Sequence, residues 1–75
     1  MAQLHIMFEG ESYDPELDQL DVGVFSTDNE IRTATARHLS GIFGYDVPVN
    51  KFSLYAVDKN QVTGEITLRP QAVFG

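Results

Sequence analysis

Polar and apolar positions alternate near both ends of this chain and recur at helical spacing between them. In Gln3-Leu4-His5-Ile6-Met7-Phe8, the residues Leu4, Ile6 and Phe8 fall on one side, which is the period-2 pattern of a half-buried strand. Glu9-Gly10-Glu11-Ser12 follows and predicts a hairpin turn in which Gly10 takes a positive φ. The returning strand has two candidates. One is Ser12–Leu17, where Pro15 removes a ladder donor and favours an edge. The other is the more apolar Leu20-Asp21-Val22-Gly23-Val24-Phe25. Extended chain is expected through much of 12–25.

The helix is the clearest element. Ser26, Thr27 and Asp28 all suit an N-cap, and Thr27 with Glu30 fits a capping box. Asp28 and Glu30 place negative charge in the first turn, where the helix dipole favours it. Ile31, Ala34, Thr35, His38, Leu39 and Ile42 then recur at a spacing of three or four. Gly41 is the expected C′ residue, with Arg37 and His38 in the favourable last turn. Gly44 and Pro48 prevent continuation.

Alternation resumes from Lys51 to Asp58, with Phe52, Leu54 and Ala56 expected inward and Ser53, Tyr55 and Val57 outward. Lys59 to Gly64 reads as a polar turn. Glu65 to Arg69 reads as the last strand, with Ile66 and Leu68 inward; Pro70 cannot donate to a ladder, so pairing ends there or continues only along an edge. Four strands and one helix bury a core only if the sheet wraps the helix on one face. The first and last strands are the most apolar and belong in the middle of the sheet. If they lie side by side and parallel, the residues after them leave past the end of the sheet. That arrangement is the β-grasp.

Composition narrows the chemistry. The chain has 75 residues, one domain near the lower limit of what folds alone. Its apolar fraction of 43% and eight aromatic residues supply a core. The absence of cysteine excludes disulfides, thiolate nucleophiles and Cys-metal sites. A formal charge of −6 argues against nucleic acid, whose phosphates require Lys and Arg. No apolar run is long enough to span a membrane, and the first residues lack a signal-peptide pattern, so a cytoplasmic protein is expected. His5 and His38 form no ligand pattern; His38 reads as a packing residue and His5 as an outward strand residue. Asp14, Glu16, Asp18 and Asp21 lack the Gly and closing Glu of a calcium loop and read as a solvated acidic face. No Ser/His/Asp set, carboxylate pair or phosphate loop is recognisable, so neither catalysis nor a cofactor is expected.

Three segments resemble ubiquitin and its relatives. Ser26-Thr27-Asp28-Asn29-Glu30-Ile31 resembles the Pro-Ser-Asp-Thr-Ile lead-in to ubiquitin's helix. Asp46-Val47-Pro48-Val49-Asn50-Lys51-Phe52-Ser53-Leu54-Tyr55 resembles the Gly-Ile-Pro-Pro-Asp segment that runs into its third strand. Ile66-Thr67-Leu68-Arg69 and the residues to Gly75 resemble its Leu-His-Leu-Val strand and tail. The resemblance spans most of the chain at the level of pattern. It implies an α+β, β-grasp domain over 1–69 and a flexible conjugation tail over 70–75.

The implied function is that of a protein modifier. An adenylating activating enzyme would act on the Gly75 carboxylate, a conjugating enzyme would pass it to amines of target proteins, and a deconjugating protease would release it. Glycine at the end suits this role, because a residue without Cβ slides into a narrow channel. Arg69, Gln71, Ala72, Val73 and Phe74 are the implied contacts with the activating enzyme. Tyr55, Val57 and Thr67 are the implied partner surface. The pair Phe74-Gly75 departs from the Gly-Gly end of ubiquitin and of the sulfur carriers, and matches more closely the modifiers that end in an aromatic residue and Gly. Two alternatives remain open: a sulfur carrier forming a C-terminal thiocarboxylate, and a β-grasp interaction module that is never conjugated.

Overall fold

The computed structural model of the protein describes residues 2–70. β1 (Leu4–Phe8) and β2 (Glu11–Tyr13) form an antiparallel hairpin that pairs Phe8 with Glu11 and Ile6 with Tyr13. Its two-residue turn holds Glu9 at φ 51° and Gly10 at φ 80°. Both central residues of the tightest hairpin turn need positive φ, which is free for Gly10 and strained for Glu9.

After Tyr13 the chain leaves the sheet, and the expected extended run through 12–25 gives way to other structure. The Leu4 N–H donates to the Pro15 carbonyl at 2.8 Å, and the Leu17 N–H donates to the Ala2 carbonyl at 3.1 Å. These bonds tie the segment to the start of β1 and drive Leu17 into the core. One helical turn, α1 (Leu17–Leu20), follows and ends at Asp21 in the left-handed region. Val22 and Val24 pack on the core from a series of turns, without joining a strand. Apolar content there reflects burial, which a helical turn provides as well as a strand does.

α2 (Asp28–Phe43) begins at the capping box: the Thr27 Oγ1 accepts from the Glu30 N–H at 3.1 Å, and the Glu30 Oε1 accepts from the Thr27 N–H at 2.8 Å. Its buried stripe is Ile31, Thr35, Ala36 and Leu39. Ala34 and His38 are half-buried, and Ile42 is exposed. The helix does not stop at Gly41. It runs on to Phe43 and closes at Gly44, φ 76°, whose N–H donates to the Ser40 carbonyl at 2.9 Å. Packing explains the extra turn. Phe43 stacks on Phe8 at 5.9 Å, meets Tyr13 edge-on at 5.8 Å and carries Tyr45 at 5.5 Å. Arg37 and His38 therefore sit within the helix and not in its last turn.

A 3-10 turn (Val49–Phe52) buries Phe52 completely and leads to β3 (Tyr55–Lys59) and β4 (Ile66–Pro70). Between these strands the Asn60 side-chain oxygen accepts from the N–H groups of Val62 and Thr63, and Gly64 takes φ 80°. The strand order is β2-β1-β4-β3. β1 and β4 are parallel, with Leu4 opposite Ile66 and Ile6 opposite Leu68; the outer pairs are antiparallel. The protein is thus an α+β domain of β-grasp form, a mixed four-stranded sheet with one main helix on one face. Leu4, Ile6, Ile66 and Leu68 are wholly buried beneath that helix.

The third strand is displaced by one residue from the expected register. Tyr55, Val57 and Lys59 lie opposite Pro70, Leu68 and Ile66. Directly opposed residues share a face, so Tyr55 and Val57 point to the helix side and Ala56 to the open side. Both Tyr55 and Val57 pack on the core, and Leu54 is exposed. The cause is the 3-10 turn: it buries Phe52 before the strand begins and breaks the alternation counted from Lys51. A slip of one residue reverses every side chain after it.

Candidate functional site

The residues expected to form a site fall into three places. Gln71, Ala72, Val73, Phe74 and Gly75 lie outside the described residues. Thr67 and Arg69 alternate with buried Ile66 and Leu68 and stand on the open face of the sheet. Tyr55 and Val57, as the register requires, are on the opposite face and do not join Thr67. Tyr55 meets Phe52 edge-on at 5.0 Å, its carbonyl accepts from Arg32 at 3.0 Å, and burial together with the charge of Glu9 pushes its phenol upward in pKa. It is a packing residue at the end of β3.

The open face consists of the alternate residues of the four strands. β1 supplies His5 and Met7, β4 supplies Thr67 and Arg69, β3 supplies Ala56 and Asp58, and β2 brings Ser12 opposite Met7. Met7 is 51% exposed at the centre of this surface. The alternation of the first strand already marks it as outward; its position in the middle of the sheet emerges only from the strand order.

Three ionic contacts cross the face. His5 lies between Asp14, with Nδ1 to Oδ1 at 2.7 Å, and Glu65, with Nε2 to Oε1 at 3.2 Å. A ring with carboxylates on both nitrogens satisfies both only as imidazolium, since a neutral imidazole has one donor. The hydrogen bonds to Asp14 and then Glu65 accordingly raise the pKa of His5 against a smaller opposing effect of burial. This clamp joins the end of β2 to the start of β4 across β1. On the other side of the face, the Arg69 Nε donates to the Asp58 Oδ2 at 2.7 Å, joining β4 to β3. The acidic residue Asp14, read from sequence as part of a solvated face, is thus a specific partner of His5.

Sequence reasoning also missed Lys59. Its stem follows the helix side, and its Nζ reaches the Ser26 carbonyl at 2.6 Å and Asp28 at 3.4 Å, tying β3 to the start of α2. Only the strand register could have revealed this contact.

Geometrically, the sheet presents a route for the chain. β4 lies between β1 and β3 and runs parallel to β1, and among the described residues its last pair is Pro70 opposite Tyr55. Within the described residues β4 therefore ends as an inner strand of the sheet, with Arg69 exposed beside Pro70. Pro70 has no N–H to continue the ladder. Among the described residues no group of three or more His, Cys, Asp or Glu side chains is placed to hold a metal ion, and no helix is long and apolar enough to cross a membrane.

The chain matches no protein-family model, no curated protein and no solved structure.

Proposed function

We propose that this chain is a ubiquitin-like protein modifier. An adenylating activating enzyme activates the Gly75 carboxylate, a conjugating enzyme transfers it to amines of target proteins, and a protease reverses the attachment. The observation that supports this reading best is the position of β4. It is central and parallel to β1, and Pro70, the last described residue before Gly75, ends this inner strand. The rigid body then serves as a handle. The modifier supplies an electrophile at its terminus, and the nucleophiles and bases belong to its partners. The exposed Arg69 and the residues Gln71 to Phe74 would contact the activating enzyme. On the open face, Met7, Thr67 and Ala56 replace Tyr55 and Val57 as the recognition surface.

The reading requires Gly75 to bear the free carboxylate in the cell, which intact-mass measurement of the cellular protein reads directly. Adenylation then needs that carboxylate in line with an ATP α-phosphate. Deleting Gly75 withdraws it by about 3.5 Å, and misplacement of about 1 Å can lower a rate roughly 100-fold. Deletion should abolish ATP-dependent thioester formation with enzymes encoded beside the gene and leave the melting curve unchanged. Conjugates that form without Gly75, or through another residue, would falsify this function. A gain of one sulfur at the terminus without conjugates would indicate a sulfur carrier instead.

A further inference from the structure

β3 forms one edge of the sheet and β2 the other. The phase of the β3–β4 ladder fixes which backbone groups the β3 edge leaves open. One step past the paired residues, and in the same register, the Asn60 N–H donates to the Glu65 carbonyl at 2.8 Å. Antiparallel partners alternate between bonded and non-bonded pairs. Ala56 and Asp58 therefore turn their N–H and C=O groups to β4, while Tyr55, Val57 and Lys59 turn theirs outward. Pro70, which has no N–H, stands opposite Tyr55 at a non-bonded position, as this phase requires. The Tyr55 carbonyl accordingly accepts from outside the ladder, from the Arg32 Nη2 at 3.0 Å. Among the described residues, no loop or helix bonds to the backbone N–H and C=O groups of Val57 and Lys59.

Open edges are normally guarded, often by a lysine that stands over the strand. Here the lysine is engaged elsewhere: the Lys59 ammonium is drawn back to the Ser26 carbonyl at 2.6 Å and to Asp28 at 3.4 Å. Arg32 stands at the Tyr55 end of the edge, half-buried and without an ion pair among the described residues. Its Nη2 holds the Tyr55 carbonyl, and its Nε is buried with no acceptor among them. A buried charged donor without an acceptor is costly. Lys51 is exposed in the 3-10 turn that leads into the strand, and it too makes no ion pair among the described residues. Leu54, immediately before β3, is 66% exposed.

Charge is divided across the sheet. Around β2 and α1 the chain carries Glu9, Glu11, Asp14, Glu16, Asp18 and Asp21, more than half of its 11 acidic residues, with no Lys or Arg among them. Of its 5 basic residues, all but Arg37 gather at the other edge. Lys59 is in β3, Arg69 lies opposite Ala56, Arg32 is bonded to Tyr55 and Lys51 precedes the strand. A protein of formal charge −6 thus keeps its cations beside the one long strand edge it leaves open. Its net charge repels an acidic partner everywhere else, so the field guides such a partner to this edge. Free ladder groups select an extended chain, and the cations select carboxylates upon it.

We propose that the β3 edge binds an extended acidic peptide of a partner protein, which adds a strand to the sheet beside β3. The peptide backbone pairs with Val57 and Lys59. Its carboxylates lie by Arg32 and Lys51, and an apolar side chain covers Leu54. The site is apart from the open face and independent of any chemistry at Gly75.

The test is an NMR titration of the full chain with a synthetic peptide of about eight residues, a strand's length, in which Val and Thr alternate between two Asp at each end. Saturation is expected between about 10 μM and 1 mM peptide, weakening with added salt. Amide shifts should centre on residues 54–60 and Arg32, and hydrogen exchange should slow at the Val57 and Lys59 amides, which a purely ionic contact leaves unchanged. The same peptide with Lys in place of Asp should not bind. N-methylation of its central residues removes the ladder donors and should abolish binding. Lys51→Glu, an exposed change that leaves the fold alone, should raise Kd about threefold or more, as loss of a peripheral ion pair and gain of a repulsion do. Val57→Pro removes an outward N–H without touching the β4 ladder and should weaken binding further, with a thermal melt to show that it folds. No binding by the Asp peptide overturns the proposal, as does equal binding of the Lys or N-methylated peptide. Shifts that map to the open face or to β2 overturn it too. Dilution-dependent shifts at Val57 and Lys59 without peptide would put a second copy at this edge and overturn it likewise.

Discussion

Along β1 and β4, Leu4, Ile6, Ile66 and Leu68 are wholly buried on the helix side, while His5, Met7, Thr67 and Arg69 alternate with them on the other. The two faces share a backbone but are held differently. The helix side is closed by apolar packing and by a run of rings, Phe43 on Phe8, Phe8 on Phe52 and Phe52 on Tyr55. The open side is held by His5 between Asp14 and Glu65, and by Arg69 on Asp58. Burial of a large side chain contributes a few kcal/mol, whereas an exposed ion pair contributes between zero and about 1 kcal/mol. Stability therefore comes from one face, and the other is free to change.

The largest test of that division compares one residue from each face. Leu68→Ala should lower stability by roughly 2–5 kcal/mol, a substantial part of the 5–15 kcal/mol typical of a domain. Met7→Ala should change it by less than about 0.5 kcal/mol, as surface substitutions do. Urea titration of both variants measures the contrast. Equal midpoints would mean that the inward face of β4 has been misassigned.

β3 gives the next test, because its faces are the ones sequence misread. Val57→Asp sets a carboxylate among core side chains and should be destabilising by about 2 kcal/mol. Ala56→Asp stands opposite Arg69 on the open side and should be nearly neutral. The reverse ranking in the same titration would restore the alternation counted from Lys51. Smaller again is the cap of α2, which belongs to neither face. Thr27→Ala leaves the Glu30 N–H without its acceptor and should lower stability by about 1 kcal/mol, seen as a lower melting temperature.

Legibility in the sequence followed the range of the forces. The Thr27–Glu30 box, the Gly10 turn and the alternation of Leu4, Ile6 and Phe8 depend on neighbours a few residues away, and each appears as expected. The central pairing of β1 with β4 was legible because both are strongly apolar. What failed depends on distant partners. Leu17 enters a helical turn because the carbonyls of Ala2 and Pro15 accept from the N–H groups of Leu17 and Leu4. The helix passes Gly41 because Phe43 finds Phe8, thirty-five positions earlier in the chain. Tyr55 and Val57 turn inward because a 3-10 turn ends one residue out of step. The expected partner surface inherits that error: Thr67 stands on the open face as its alternation with Ile66 and Leu68 requires, while Tyr55 and Val57 lie on the other.

The two histidines offer the smallest effect and the most specific one, because their pKa shifts have opposite signs. On the open face His5 is raised above the ordinary value of 6.5 by Asp14 and Glu65, whereas on α2 His38 is lowered by burial. For His5, the folded state holds its proton more tightly than the unfolded one. Its contribution is therefore complete below about pH 6.5 and is lost as pH rises through the raised value. For His38, the unfolded state takes up the proton first as pH falls below about 6.5, so stability declines on acidification until the lowered folded value is passed. Removing each side chain should expose the other. His5→Gln should flatten any loss of stability between about pH 6.5 and 8, and His38→Gln should flatten the loss between about pH 6.5 and 5. Each change should amount to a few tenths of a kcal/mol, since His5 is partly exposed to solvent and its ion pairs are screened. Melting temperatures across pH 5–8 for wild type and both variants measure the two slopes. Identical pH profiles for the His5→Gln variant and wild type would show that the clamp on the open face adds nothing, and that packing beneath the helix holds the sheet alone.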